Sequence, residues 1–244
     1  MKKKWLVVIP ARLSSSRLEN KPLQLLGGVP LVVQTYRNLS PLLDMSNVIV
    51  AADSKEIQIV CEQYDVPCVM TKDTHESGTD RCFEVSDSGT FEHEFVLNVQ
   101  GDEPFIEVDS LLGLMKSFEM GVSDMATLAT MSDSSEDFMD PNVVKVVVDR
   151  RGSALYFSRA EVPFCRKRED NRNFLVHMGI YAYSRASLGK FCSLGKSALE
   201  KVEHLEQLRA LENGMSISVT QVESSSFGID TPADLCRANA RFSE

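Results

Sequence analysis

The 244-residue sequence has no C-x-x-C pair, no H-x-x-x-H spacing and no mixed Cys/His cluster. A zinc site, which needs such ligands at close spacing, is therefore not expected. Its six cysteines (Cys61, Cys68, Cys82, Cys165, Cys192 and Cys236) stand far apart. In a chain this long they read as reduced, mostly buried thiols, and so as a cytoplasmic protein. Excess positive charge is also missing: 26 Lys and Arg face 35 Asp and Glu, a net charge of −9. That balance argues against nucleic acid or a membrane surface as partner, and any polyanion must be met by a local basic cluster. No apolar run approaches the roughly 20 residues of a bilayer span. The opening stretch from Trp5 to Ala11 is short, contains Pro10 and runs into Arg12 without a small-residue cleavage site. It reads as a buried first strand rather than a signal peptide. Repeats and low-complexity segments are absent, and the Ser-rich piece at 224–226 is too short to link independent domains.

At 43% hydrophobic and 25% charged, the remainder has the composition of a globular fold. Apolar runs at Leu6–Ile9, Val48–Ala52, Pro67–Met70 and Phe95–Val99 alternate with helical stretches near Leu31–Leu39, Lys55–Tyr64, Thr79–Ser86 and Ser110–Glu119. Short buried strands separated by helices predict an α/β fold with a mostly parallel sheet flanked by helices. In such sheets ligands bind beyond the carboxyl ends of the strands. The second half differs. Val143–Asp149 and Ser153–Ser158 predict a hairpin turning at Arg150-Arg151-Gly152, and Phe174–Tyr183 predicts a long strand. Val202, Leu205, Leu208 and Leu211 predict a helix over Glu200–Glu212, stopped by Asn213-Gly214. A last strand near Ser216–Val222 leads to Thr231-Pro232-Ala233-Asp234, where Thr231 fits a helix N-cap and Pro232 the first helical position.

Three segments carry the chemistry. The loop after the first strand, Pro10 to Leu23, lacks glycine, so it is neither a dinucleotide fingerprint nor a P-loop. It holds Arg12, Arg17 and Lys21 among serines: arginine forks match phosphate oxygens in pairs, and lysine adds a compact point charge. A solvated basic loop is the bland alternative; its place at the ligand edge of an acidic chain favours a polyphosphate clamp. The second segment, Asn98-Val99-Gln100-Gly101-Asp102-Glu103-Pro104, puts a carboxylate at the end of the fourth strand, well placed to hold Mg²⁺. Asp230 and Asp53 are further acids near strand or helix ends, where structural capping is the commoner role. The third segment, Thr71 to Arg81, offers small residues around Gly78 and the Arg81 fork, beside a possible cap at Ser77 or Thr79.

With these segments in view the sequence resembles the 3-deoxy-manno-octulosonate cytidylyltransferase (CMP-Kdo synthetase) family. Matching stretches include Val8-Ile-Pro-Ala-Arg12, Arg17-Leu18, Lys21-Pro-Leu23, Ser77-Gly-Thr79 with Arg81, Asn98 to Pro104, Val143-Val-Lys145, Ala154 to Arg159, Gly179-Ile-Tyr181, Leu205-Glu-Gln-Leu-Arg209 and Asp230-Thr-Pro232. They follow the family's order along nearly the whole chain. The resemblance implies a nucleotide-diphospho-sugar-transferase type fold in one α/β domain over 1–244. Its lobes would be 1–135 for nucleotide and 136–228 for sugar binding and dimerisation, with 229–244 returning to the first. It implies activation of the sugar acid Kdo by CTP, giving CMP-Kdo and pyrophosphate for lipopolysaccharide synthesis, in a cytoplasmic, Mg²⁺-dependent homodimer. Arg12, Arg17 and Lys21 would bind the triphosphate, and Ala11, Thr71, Ser77, Gly78 and Arg81 the cytidine side. Asp102 and Asp230 would hold Mg²⁺. Gln100, Arg159, His177, Tyr181, Glu206 and Gln207 would line the sugar pocket, with Arg159 on the sugar carboxylate.

One departure stands out. The family usually has Pro-Gly where this chain has Glu19-Asn20. Asn20 tolerates a left-handed conformation, whereas Glu19 adds negative charge beside the clamp. Two other readings remain open on sequence: the same reaction on an 8-amino analogue of Kdo or another sugar acid, and a module that binds CTP without turnover.

Overall fold

Trp5–Ala11 (β1) is buried at every position, which is why its run of apolar residues carries no alternation. The computed structural model describes residues 4–14, 17–44, 46–166, 173–223 and 227–242. From β1 the chain continues through β2 (Leu25–Leu26), β3 (Val29–Pro30), α1 (Leu31–Asn38), β4 (Ser46–Ala52), α2 (Lys55–Gln63), β5 (Cys68–Met70), α3 (Gly78–Asp87) and β6 (Phe95–Asn98). Then come α4 (Val108–Met120), β7 (Met125–Ser132), α5 (Ser135–Met139), β8 (Lys145–Val148), β9 (Ala154–Ser158) and β10 (Phe174–Ser184). The chain ends with α6 (Arg185–Ser193), α7 (Ala198–Glu203), α8 (Leu208–Glu212), β11 (Ile217–Val222) and α9 (Pro232–Ala240).

These elements form two compact units, Met1–Val108 with Ser226–Glu244, and Asp109–Ser225. In the first, β1 pairs in parallel with β4 and β6, and β4 with β5. The helices between the strands return the chain to the same edge each time. In the second, β7 pairs in parallel with β11 and antiparallel with β10, and β8 pairs antiparallel with β10 and β9. The lobe boundary expected near residue 135 falls inside this unit, because β7 takes its partners from β10 and β11. The Ser-rich piece at 224–226 lies outside the described residues.

Most predicted elements are present within one or two residues of their expected ends. The helix predicted over Glu200–Glu212 is not continuous. It breaks into α7 and α8 at His204, which adopts a left-handed conformation with φ 52°. The cause is a residue distant in sequence: the Arg159 guanidinium takes the Glu203 carbonyl at 2.8 Å, an acceptor a continuing helix would need. The three-residue steps of Val202, Leu205, Leu208 and Leu211 also drift off any single helical face. Unforeseen elements include β7, α5, α6 and the small β2–β3 ribbon.

Candidate active site

Leu18 is the anchor of the cationic loop. It is buried in a cluster with Leu26, Leu31, Ile229 and Ala238, against which Phe105, Phe227 and Leu235 pack. Burying one such leucine is worth about 2 kcal/mol, so Arg17 and Lys21 on either side are held against the segment that carries Asp230. Asn20 takes the left-handed conformation (φ 48°, ψ 38°) its residue type allows and opens a one-turn 3-10 helix over Lys21–Leu23. The Glu19-Asn20 turn therefore folds without a glycine.

Asp102 and Asp230 converge on this loop. The Lys21 ammonium donates to Asp230 Oδ1 at 2.7 Å and to Asp102 Oδ2. Arg17 reaches the same Asp230 oxygen at 2.9 Å. Their backbones are also tied, since the Ile229 N–H donates to the Asp102 carbonyl at 2.9 Å. Gly101 makes this turn possible: a Cβ there would lie 3.1 Å from the Pro10 carbonyl oxygen. Asp230 is fixed from the other side by α9, whose expected N-cap Thr231 also forms a capping box with Asp234. A cavity of about 270 Å³ opens here, lined by Ala11, Arg12, Arg17, Lys21, Gln100 and Asp102 among others. Burial alone would lower the pKa of Lys21, but the two carboxylates outweigh it and hold the pKa above the usual lysine value.

The donor set suits a hard divalent ion. Two carboxylates already share one cation, the Lys21 ammonium. Among the described residues no group of three or more His, Cys, Asp or Glu gathers to hold a metal alone. An ion held here would need further oxygens from phosphate, which is how Mg²⁺ usually binds.

On the expected cytidine side, Arg81 is buried and its guanidinium is already engaged. Nη1 donates to Thr71 Oγ1 at 2.9 Å and to the Lys72 carbonyl at 2.8 Å, while Nη2 meets Asp53 Oδ2 at 3.2 Å. Arg81 thus pins the Thr71–Lys72 segment. Ser77 caps α3, its Oγ accepting from the Asp80 amide at 3.1 Å. Gly78 earns its place by close approach, because a Cβ there would meet Pro10 Cγ at 3.0 Å and Gln100 Oε1 at 3.6 Å.

The other expected sugar residues lie in the second unit. His177 and Tyr181 flank a bulge in β10, with ring centroids 5.5 Å apart. The Thr127 hydroxyl fills the bulge, lying 2.7 Å from the Ile180 carbonyl and 3.1 Å from His177 Nε2. Burial pushes the His177 pKa down to about 3, so its imidazole is neutral. Burial, with the Glu206 carboxylate nearby, pushes the Tyr181 hydroxyl well up. Gln207 is buried and its Nε2 has no hydrogen-bond partner among the described residues. Arg159 spends donors on backbone: Nε on the Glu203 carbonyl at 2.8 Å, Nη1 on the Pro141 carbonyl at 2.8 Å.

Some of this was not visible in sequence. Asp53 joins Arg81 to the cationic loop, since its Oδ1 accepts from the Leu13 amide at 2.9 Å. Asn98 is fully buried with Nδ2 unpartnered among the described residues, while its Oδ1 accepts from Gln100 at 2.8 Å; a polar residue closing an apolar strand was the available signal. Lys145 is fully buried, its ammonium on the carbonyls of Asp140, Val143 and Arg159 at 2.8–3.0 Å.

A family model for cytidylyltransferases matches residues 6–217. The chain belongs to this family. It is 44% identical over 242 residues to a 3-deoxy-manno-octulosonate cytidylyltransferase of Gemmatimonas aurantiaca, covering 97% of this chain and 93% of that one. To the enzyme of that name from Helicobacter pylori it is 42% identical over 242 residues, covering 98% of each. Among solved structures, a CMP:2-keto-3-deoxy-manno-octonic acid synthetase complexed with CTP superposes with a TM-score of 0.91 at 36% identity over 98% of each chain. A 4-diphosphocytidyl-2C-methyl-D-erythritol synthase from Anaerococcus prevotii shares the fold, with a TM-score of 0.64 at 17% identity. As a cytidylyltransferase, the chain has the mainly parallel, helix-flanked sheet expected from its sequence. No helix among the described residues is long and apolar enough to cross a membrane.

Proposed function

We propose that this cytidylyltransferase activates 3-deoxy-manno-octulosonate with CTP, releasing pyrophosphate and CMP-Kdo for lipopolysaccharide synthesis. The observation that carries the reading is the meeting of Lys21, Asp102 and Asp230 beyond the strand ends, in a chain so similar to a synthetase complexed with CTP.

In this reading the anomeric hydroxyl of the sugar attacks the α-phosphorus of CTP and gives up its proton to solvent; a new P–O bond forms, and the bond from that phosphorus to the oxygen of the β-phosphate breaks. No residue need become covalently attached; the work is positioning and charge neutralisation. Arg12, Arg17 and Lys21 would spread the charge of the departing pyrophosphate. Asp102 and Asp230 would hold Mg²⁺, which when bound supplies Lewis-acid polarisation of phosphate oxygens. Ala11, Thr71, Ser77 and Gly78 would bound the cytidine, with Arg81 pinning the Thr71–Lys72 segment. For the sugar, Gln100, His177, Tyr181 and Glu206 offer donors and acceptors to a polyol. The unpaired amide of Gln207 supports this, since a buried donor left unmet costs about 1–3 kcal/mol and a sugar hydroxyl would satisfy it. Arg159 would meet the sugar carboxylate with the edge of its fork.

The cytoplasmic reading is supported by six cysteines that form no disulfide among the described residues. A homodimer is supported by apolar side chains left exposed on the second unit, among them Leu155, Phe164 and Val202. Pyrophosphate release in a mixture of CTP, Mg²⁺ and Kdo tests the activity; nucleotide binding with no release would make the chain a sensor. Competition between Kdo and its 8-amino analogue fixes the preferred sugar.

A further inference from the structure

Lys21 stands where a divalent ion would have to go. Its ammonium is the cation shared by Asp102 and Asp230, and Arg17 adds a second positive charge on Asp230. Two carboxylates and two cations cancel, so the cluster has no formal charge left to attract a lone dication. Lys21 and Asp102 are only 17% and 25% exposed, which keeps water from screening the repulsion an incoming ion would meet.

The lysine is also built to leave. Its backbone is fixed by the 3-10 turn behind Asn20 and by buried Leu18 and Pro22, but its four-carbon stem is flexible and its charge is a compact point. The same side chain lines the cavity proposed to take the triphosphate. Phosphate oxygens entering there would compete for the ammonium and leave both carboxylates uncompensated.

We propose that Lys21 is a surrogate cation that excludes divalent metal from the Asp102–Asp230 pair until a triphosphate draws it away, so that metal is bound with nucleotide and not before it. This rests on the reading of the pair as the Mg²⁺ ligands. It makes Lys21 a positioning residue for the metal as well as a phosphate ligand, and it spares the empty enzyme from holding an ion without substrate.

Mn²⁺ is the probe, followed by the loss of its free-ion paramagnetic resonance signal. The nucleotide-free wild-type chain should bind Mn²⁺ weakly. Lys21→Met, which keeps the stem and removes the charge, should bind it at least tenfold more tightly without nucleotide, and Asp230→Asn in that background should abolish the gain. Lys21→Arg should exclude Mn²⁺ as the wild type does. Equal affinities for wild type and Lys21→Met overturn the proposal. So does tight Mn²⁺ binding by the nucleotide-free wild type that Asp230→Asn removes, a result needing no variant at position 21. Metal uptake by the wild type with CTP is read separately. If uptake with CTP exceeds that of CTP alone and depends on Asp102, the metal reading stands even where the exclusion role fails; without that excess, the metal reading itself falls.

Discussion

Asp53 is the strut between Arg81 and the cationic loop, one carboxylate oxygen on the buried guanidinium and the other on the Leu13 amide. A single side chain thus fixes both walls of the proposed nucleotide site. Asp53→Asn removes the charge that balances Arg81, and breaking such a pair typically costs about 3 kcal/mol. The expected outcome is a lower thermal midpoint together with a raised KM for CTP. A stability loss alone, with KM unchanged, would separate the strut from nucleotide binding.

Asp102 should behave in the opposite way. Asp102→Ala is expected to lower kcat about 100-fold or more, the scale of losing several kcal/mol of transition-state stabilisation, with a much smaller effect on unfolding. Steady-state pyrophosphate release and thermal melts read the two sides. Near-normal turnover in Mg²⁺ would remove Asp102 from the metal.

His177 gives the fold a pH dependence. Its native pKa of about 3 lies below the ordinary value of 6.5, so below pH 6.5 the unfolded chain takes up a proton that the native chain refuses. Stability from this residue is therefore full above pH 6.5 and falls as pH drops toward 3, by about 1.4 kcal/mol per unit. Above pH ~5 carboxylates contribute little to such a slope. Urea midpoints between pH 7 and 5 should decline in the wild type and stay flatter in His177→Gln.

Arg159 is expected to serve both fold and sugar. Arg159→Ala should raise the sugar KM while leaving that for CTP unchanged. It should also cost about 1–3 kcal/mol, since the carbonyls of Pro141 and Glu203 lose their donor. Kinetics and urea titration on one preparation separate the effects; an unchanged sugar KM would leave Arg159 a clamp only.

What the sequence disclosed follows physical lines. The four parallel strands were legible because fully buried strands are unbroken apolar runs closed by turn residues, and α9 because Thr231, Pro232 and Asp234 spell a cap. β7 was not, since Met125–Ser132 mixes Ala, Thr and Met, whose pattern favours neither period and whose burial is set by β10 and β11. The split of the predicted 200–212 helix depends on Arg159, far away in sequence, and no local signal contains it. The cations and acids were nameable as types, and the resemblance paired Asp102 with Asp230. That both meet Lys21, that Asp53 serves Arg81, and that Arg159 is engaged with backbone needed three dimensions.

Asp230 follows Asp102 by more than a hundred residues, on a segment seated by Phe227 and α9 against Phe105 and Leu26. During synthesis the ribosome therefore delivers the cationic loop and Asp102 long before their second acid. Until residues 227–242 dock, a nascent chain holds Lys21 and Asp102 without the second carboxylate, so this ion-pair cluster closes only after β1, β4, β5 and β6 have all been made.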